Sequence, residues 1–165
     1  GWSVTVVLAS SELSDDADHH LHLLRNMQAV RVLDYTEDNQ QSLQVIQSAD
    51  VIIDALIGYN LQGAPRGAFK EIIGVVSQAP GRVFAYDLPT GVDASTGEGY
   101  PPHIAAEATL TLGLPKKASS LQNGQQAAGT IFLGDIGIPA FIYNKVTSEG
   151  RPPFERESDG LVSVT

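Results

Sequence analysis

Two carboxylates sit where an apolar sequence has least use for them. Asp54 interrupts the run Val51-Ile52-Ile53-Asp54-Ala55-Leu56-Ile57, and Asp87 ends the run Arg82-Val83-Phe84-Ala85-Tyr86. An unpaired carboxylate in a buried strand is costly, so Asp54 requires hydrogen-bond donors or a cation. It either ties down backbone amides of a neighbouring loop or serves as a hard-cation ligand or substrate contact. After Asp87 the chain continues Leu88-Pro89-Thr90-Gly91-Val92-Asp93, where the proline pre-sets one dihedral and the glycine lets backbone approach a ligand. A carboxylate at a strand tip and the Thr90 hydroxyl shortly after it can face one small site. Carboxylate, hydroxyl and carbonyl oxygens suit a hard cation and make a poor zinc site. The alternative for this stretch is a well-capped structural turn.

Between these runs lies the loop Gly58-Tyr59-Asn60-Leu61-Gln62-Gly63-Ala64, which leads towards a helix. Its backbone N–H groups can hold an anionic group such as a phosphate, with Arg66 nearby for a charge-assisted contact. The spacing matches neither a Walker motif nor the dinucleotide GxGxxG pattern. His19, His20 and His22 read as a solvated helix surface, because adjacent helical positions face different ways. Thr90 and the pair Ser119-Ser120 have no neighbouring base, which argues against a hydrolase triad. Lys116 and Lys117 follow a strand end, where either an anion contact or a solvated pair fits.

The elements that must position these groups follow from periodicity. Buried strands are expected at Trp2 to Ala9, Ala29 to Leu33, Asp50 to Ile57, Arg82 to Asp87, Leu110 to Gly113 and Thr130 to Leu133. Helices are expected after Ser14, whose neighbours Asp15, Asp16 and Asp18 favour a helix N-terminus, over Asn39 to Gln47, and from about Gly67 to Val76. One short helix is expected between the last two strands. The Pro- and Gly-rich stretch after Asp87 reads as a long loop with fixed turns. This alternation predicts an α/β fold, a three-layer, Rossmann-like, doubly wound and mostly parallel sheet. Its ligand crevice would lie outside the carboxyl ends of the strands. We expect one domain over residues 1–144 and a C-terminal segment or linker over 145–165, where Pro, Glu, Ser, Gly and Arg accumulate.

Composition narrows the function further. Ten basic against 19 acidic residues give a formal net charge of −9, which opposes a general nucleic-acid binder. The absence of cysteine excludes disulfides, thiolate metal sites and a cysteine nucleophile, and fits a reducing, cytoplasmic location. The longest apolar stretches are too short to span a bilayer, so no membrane partner is expected. The sequence begins without methionine directly before an apparent strand, and we expect it to start inside a longer domain.

Four stretches carry a resemblance: DALIGYNLQGAPRG from Asp54, YDLPTGVDASTGE from Tyr86, AAEATLTLGLPKKA from Ala105 and GTIFLGDIGIPAFIY from Gly129. In this order they resemble the NAD(P)H-hydrate epimerase family, also called the YjeF N-terminal domain. The resemblance implies a Rossmann-like domain that interconverts the R and S forms of hydrated NADH or NADPH, with one bound potassium ion (K+). It implies that Asp54 and the Thr90 hydroxyl are potassium ligands, that Gly58 to Ala64 hold the substrate, and that Asp87 contacts the hydrate as the acid/base group. The family usually has Ser where Thr90 stands, and the hydroxyl is kept. It also has an Asn-Asn-Gly-Gly-Asp loop upstream of the first strand, which nothing here matches. We therefore expect an N-terminally truncated domain with reduced or no activity by itself. The implied partners are the small-molecule hydrate, a fused or associated ADP- or ATP-dependent dehydratase, and a second copy in a homodimer. The other readings are a non-catalytic nucleotide-binding or scaffold module, and an enzyme acting on another nucleotide or a phosphosugar.

Overall fold

The computed structural model describes residues 1–27, 30–147 and 161–164. The expected strand start at Ala29 and the Pro-rich stretch from Arg151 lie outside the described residues, as does much of 145–165. The chain divides into two compact units, one formed by 1–50 and 66–81, the other by 51–65 and 82–165.

The first unit holds a parallel strand pair, β1 (Thr5–Leu8) and β2 (Arg31–Asp34), with helices α1 (Asp15–Met27), α2 (Asn39–Gln47) and α3 (Ala68–Val76). Ser14 precedes α1 as expected: its carbonyl accepts from the Asp18 amide at 2.9 Å, and three aspartates occupy the first turn. Asp38 caps α2 by accepting from the Gln41 amide at 2.9 Å. Helix α3 buries Ile72, Ile73 and Val76, and the Tyr35 hydroxyl after β2 donates to the Glu71 carboxylate on α3. β1 is shorter than the apolar run that predicts it. Its register with β2 covers only Thr5 to Leu8, and Trp2 is exposed.

The second unit is a five-stranded sheet in the order β3 (Val51–Asp54), β4 (Arg82–Tyr86), β5 (Ala108–Leu112), β6 (Thr130–Gly134) and β7 (Leu161–Ser163). The first four run parallel and β7 is antiparallel at the edge. The fold is thus α/β with a mostly parallel sheet, as its alternating pattern predicts. Asp54, Ala85, Thr109 and Ile131 stand in one register row, all at most 3% exposed. Helix α4 (Gln122–Ala128) follows a 3₁₀ turn, Lys117–Ser120, and α5 (Ala140–Val146) follows β6. Neither α5 nor β7 was expected from periodicity. β3 ends at Asp54, short of Ile57, because side chains take the next amides: Leu56 donates to Asp54 and Ile57 donates to Thr90. β4 ends at Tyr86 because Asp87 turns to a φ of 70°. Among the described residues no helix is long and apolar enough to cross a membrane.

Gly129 between α4 and β6 shows how tightly this unit closes. Its φ is 63°, and a Cβ there would lie 2.2 Å from the Glu107 carbonyl oxygen. Gly137 has a similar φ of 73° but open space. Gly137→Ala should therefore destabilise only by its backbone strain, about 1–2 kcal/mol. Gly129→Ala should lose a further ~1–3 kcal/mol to overpacking. Urea unfolding of both variants checks this, and equal midpoints would contradict the close approach.

Candidate active site

The sheet of the second unit brings Asp54, Thr90, Asp87 and Lys116 to its C-terminal end. Asp54 is the last residue of β3 and pairs in register with Ala85, two residues before Asp87. The loop after β4 is anchored by Leu88 and Val92, which pack with Ala118 and Ala127 in a buried cluster. Thr90, between those anchors, is fully buried.

Asp54 and Thr90 are joined twice. The Thr90 amide donates to Asp54 Oδ2 at 2.7 Å, and the Thr90 hydroxyl donates to Oδ1 at 2.6 Å. The Leu56 amide adds a longer bond to Oδ1 at 3.3 Å. The threonine oxygen in turn accepts from the Ile57 amide at 3.0 Å and lies 3.4 Å from the Ile57 carbonyl oxygen. A hydroxyl has one hydrogen, and the shorter contact shows that Asp54 receives it. A carboxylate, a hydroxyl and a carbonyl oxygen therefore converge with a single proton among them. Burial pushes the Asp54 carboxyl above the usual aspartate range, against the opposing pull of its bonds from Thr90 and Leu56. So the tying of loop amides foreseen from the sequence is present. The same oxygens form a donor set suited to a hard cation such as potassium.

Asp87 is the one non-glycine residue with a left-handed backbone among the described residues. Aspartate tolerates this conformation better than most residues, yet it is uncommon and concentrates at functional sites. Its amide donates to the Leu110 carbonyl at 2.8 Å. Its Oδ1 accepts from the Leu112 amide at 3.2 Å and from the Lys116 ammonium. The two side chains of that ion pair are only 16% and 21% exposed.

The loop from Gly58 to Ala64 is exposed apart from a half-buried Leu61. Among the described residues, none of its amides donates a hydrogen bond within the protein. Gly58 and Gly63 have open space around them, and Gly63 is left-handed with a φ of 74°. Such a loop can offer its N–H groups to an anion. Arg66 belongs to the other unit. His19, His20 and His22 are exposed on α1, as their spacing predicts. The Ser120 hydroxyl donates to the Lys117 carbonyl at 2.8 Å, a local bond within its turn. Sequence reasoning missed the Ile57 carbonyl and the Leu112 amide, since backbone groups leave no sequence signal. It left Lys116 undecided, although its place just after a strand end was the available clue.

Thr90→Val keeps the shape but leaves Asp54 and the Ile57 amide without the hydroxyl, which should destabilise by about 2–3 kcal/mol. Thr90→Ser should cost less than ~1 kcal/mol, since the hydroxyl survives. Urea midpoints decide, and a valine variant no worse than the serine variant would contradict the double bond. Asp54 also makes stability depend on pH. Its folded form holds the proton more tightly than the unfolded chain does, so its penalty is absent below the ordinary aspartate range. The penalty grows as pH rises from that ordinary range to the raised folded value and is constant above it. In potassium-free buffer the stability of Asp54→Asn relative to the parent protein should grow with pH over that window. A difference that stays flat would contradict the burial effect.

The family model described as YjeF-related protein N-terminus matches residues 1–118. An NAD(P)H-hydrate epimerase from Dehalogenimonas lykanthroporepellens is 37% identical over 107 residues, covering 64% of this chain and 42% of that protein. A bifunctional NAD(P)H-hydrate repair enzyme Nnr from Salinibacter ruber is 31% identical over 159 residues, covering 90% of this chain and 29% of its own. The chain thus spans less than half the length of these two relatives. The crystal structure of yeast ynu0 matches with a TM-score of 0.77 at 27% identity, over 97% of this chain and 65% of the yeast chain. With more than half of its length matched by that family model, the chain belongs to the family of YjeF-related protein N-termini.

Proposed function

We propose that this protein interconverts the R and S forms of hydrated NADH and NADPH, a repair reaction on a damaged cofactor. The observation that carries the reading is the convergence of Asp54, Thr90 and the left-handed Asp87 at one sheet end, in a family whose relatives include proteins named NAD(P)H-hydrate epimerase. Epimerising the hydrated carbon requires loss and return of its hydroxyl, or opening of the ring. Both routes move a proton at an oxygen, and a positioned carboxyl group such as Asp87 can give and take it. No net redox change accompanies either route.

The remaining residues fit the same substrate. The free amides of Gly58 to Ala64 suit the phosphates of a dinucleotide. The oxygens of Asp54, Thr90 and Ile57 would hold a potassium ion, and their donor chemistry fits one. When bound, the ion supplies fixed positive charge against the buried carboxylate and the ligand's phosphates. A dehydratase that consumes one form of the hydrate is the natural partner, and the bifunctional repair enzymes among the relatives support such a pairing.

The test uses the full-length protein and purified R-form NADPH hydrate, with the S form followed by chromatography in potassium or choline buffer. Turnover should require potassium and should fall by about 10²- to 10⁴-fold in Asp87→Ala, the range for loss of a general acid/base. Folded protein that gives no turnover in potassium would overturn the assignment.

A further inference from the structure

The site described above leaves Lys116 without a role, yet its placement is specific. Its ammonium contacts Asp87 Oδ1 and lies 3.3 Å from the Leu112 carbonyl oxygen, while the Leu112 amide donates to the same Oδ1 at 3.2 Å. Among the described residues, Asp87 Oδ2 receives no hydrogen bond. One oxygen of the carboxylate is thus pinned by two donors, and the other is left for a ligand.

We propose that Lys116 is a positioning residue for Asp87, fixing the carboxylate so that its second oxygen is presented to the substrate. The inference rests on the epimerase reading of this site. Both ends of the pair are held by rigid elements. Lys116 has extended backbone, with a φ of −70° and a ψ of 151°, and directly precedes the 3₁₀ turn whose Ala118 is 1% exposed. The Ala118 amide donates to the Ala94 carbonyl at 3.0 Å, so the loop after β4 and the turn after Lys116 are tied together. On the other side, Asp87 is held by its bond to Leu110 and by Leu88, which is 3% exposed.

A largely buried ion pair of this kind adds little net stability, because desolvation of both charges offsets their attraction. Its effect is directional: a carboxylate that moves a proton needs one oxygen held and the other free, within a fraction of an ångström of its target. The other ion pair among the described residues, between Arg82 and Glu107, lies at the N-terminal end of β4 and is far more exposed. It offers no substitute.

In the full-length protein, Lys116→Ala should lower kcat for hydrate epimerisation by about 100-fold, the scale of a misplaced catalytic group, while KM changes less than ~3-fold. Lys116→Arg should recover much of the loss, and added ethylammonium should restore part of the alanine variant's turnover in a saturable way. A folded alanine variant within ~3-fold of the parent kcat, or one rescued by neither means, would overturn the positioning role while leaving the epimerase assignment standing. A parent protein without turnover would remove the epimerase assignment instead. The pairing is then read from the ¹⁵N resonance of the Lys116 ammonium. Asp87→Asn must shift it and the control Glu107→Gln, at the opposite end of the sheet, must not; an unmoved resonance overturns the pairing itself.

Discussion

A carboxylate buried at the end of a strand has to be matched by donors, and Thr90 supplies two to Asp54. That match fixes much of the second unit. It ends β3, because the amides of Leu56 and Ile57 go to side chains instead of the sheet ladder. It also draws the loop after β4 into the sheet end, where Leu88 and Val92 can be buried. Asp87, three residues before Thr90, inherits its position and its left-handed backbone from this closure. Without the hydroxyl at Thr90, the buried charge would stand against a low-dielectric surround with only amides to stabilise it.

The electrostatics of the end of this sheet run against those of the whole chain. A formal net charge of −9 does nothing to attract a phosphate-bearing ligand. Attraction must be local, and the structure offers two sources of it. The first is a loop of unpaired amides at 58–64. The second is the Lys116 ammonium against Asp87. The oxygens of Asp54, Thr90 and Ile57 by themselves repel an anion and would attract one only through a bound cation. Each source is short-range, so recognition depends on shape and on donor geometry more than on long-range steering.

Several of these features were legible in the sequence. Asp54 and Asp87 stand out as carboxylates that end apolar runs, and Thr90 as a hydroxyl in a Pro- and Gly-fixed turn. The helix expected over Asn39 to Gln47 has those bounds in the structure, where Asp38 caps it. Strand lengths were overestimated at β1 and β3, since a run of apolar residues cannot show where partner amides are diverted. The edge strand β7, three residues long, is defined by its partner β6 and not by any local pattern. The pairing of Lys116 with Asp87 joins positions 29 residues apart, and only the parallel neighbours β4 and β5 bring them together.

The oxygen site organised by Asp54 and Thr90 is the claim on which the functional account turns. The most direct measurement is diffraction from crystals of the full-length protein grown with thallium(I), a potassium mimic that is visible by anomalous scattering. An anomalous peak is expected within coordination distance of an Asp54 carboxylate oxygen and the Thr90 hydroxyl. Data of good quality with full thallium occupancy elsewhere and no peak at these two residues would contradict it.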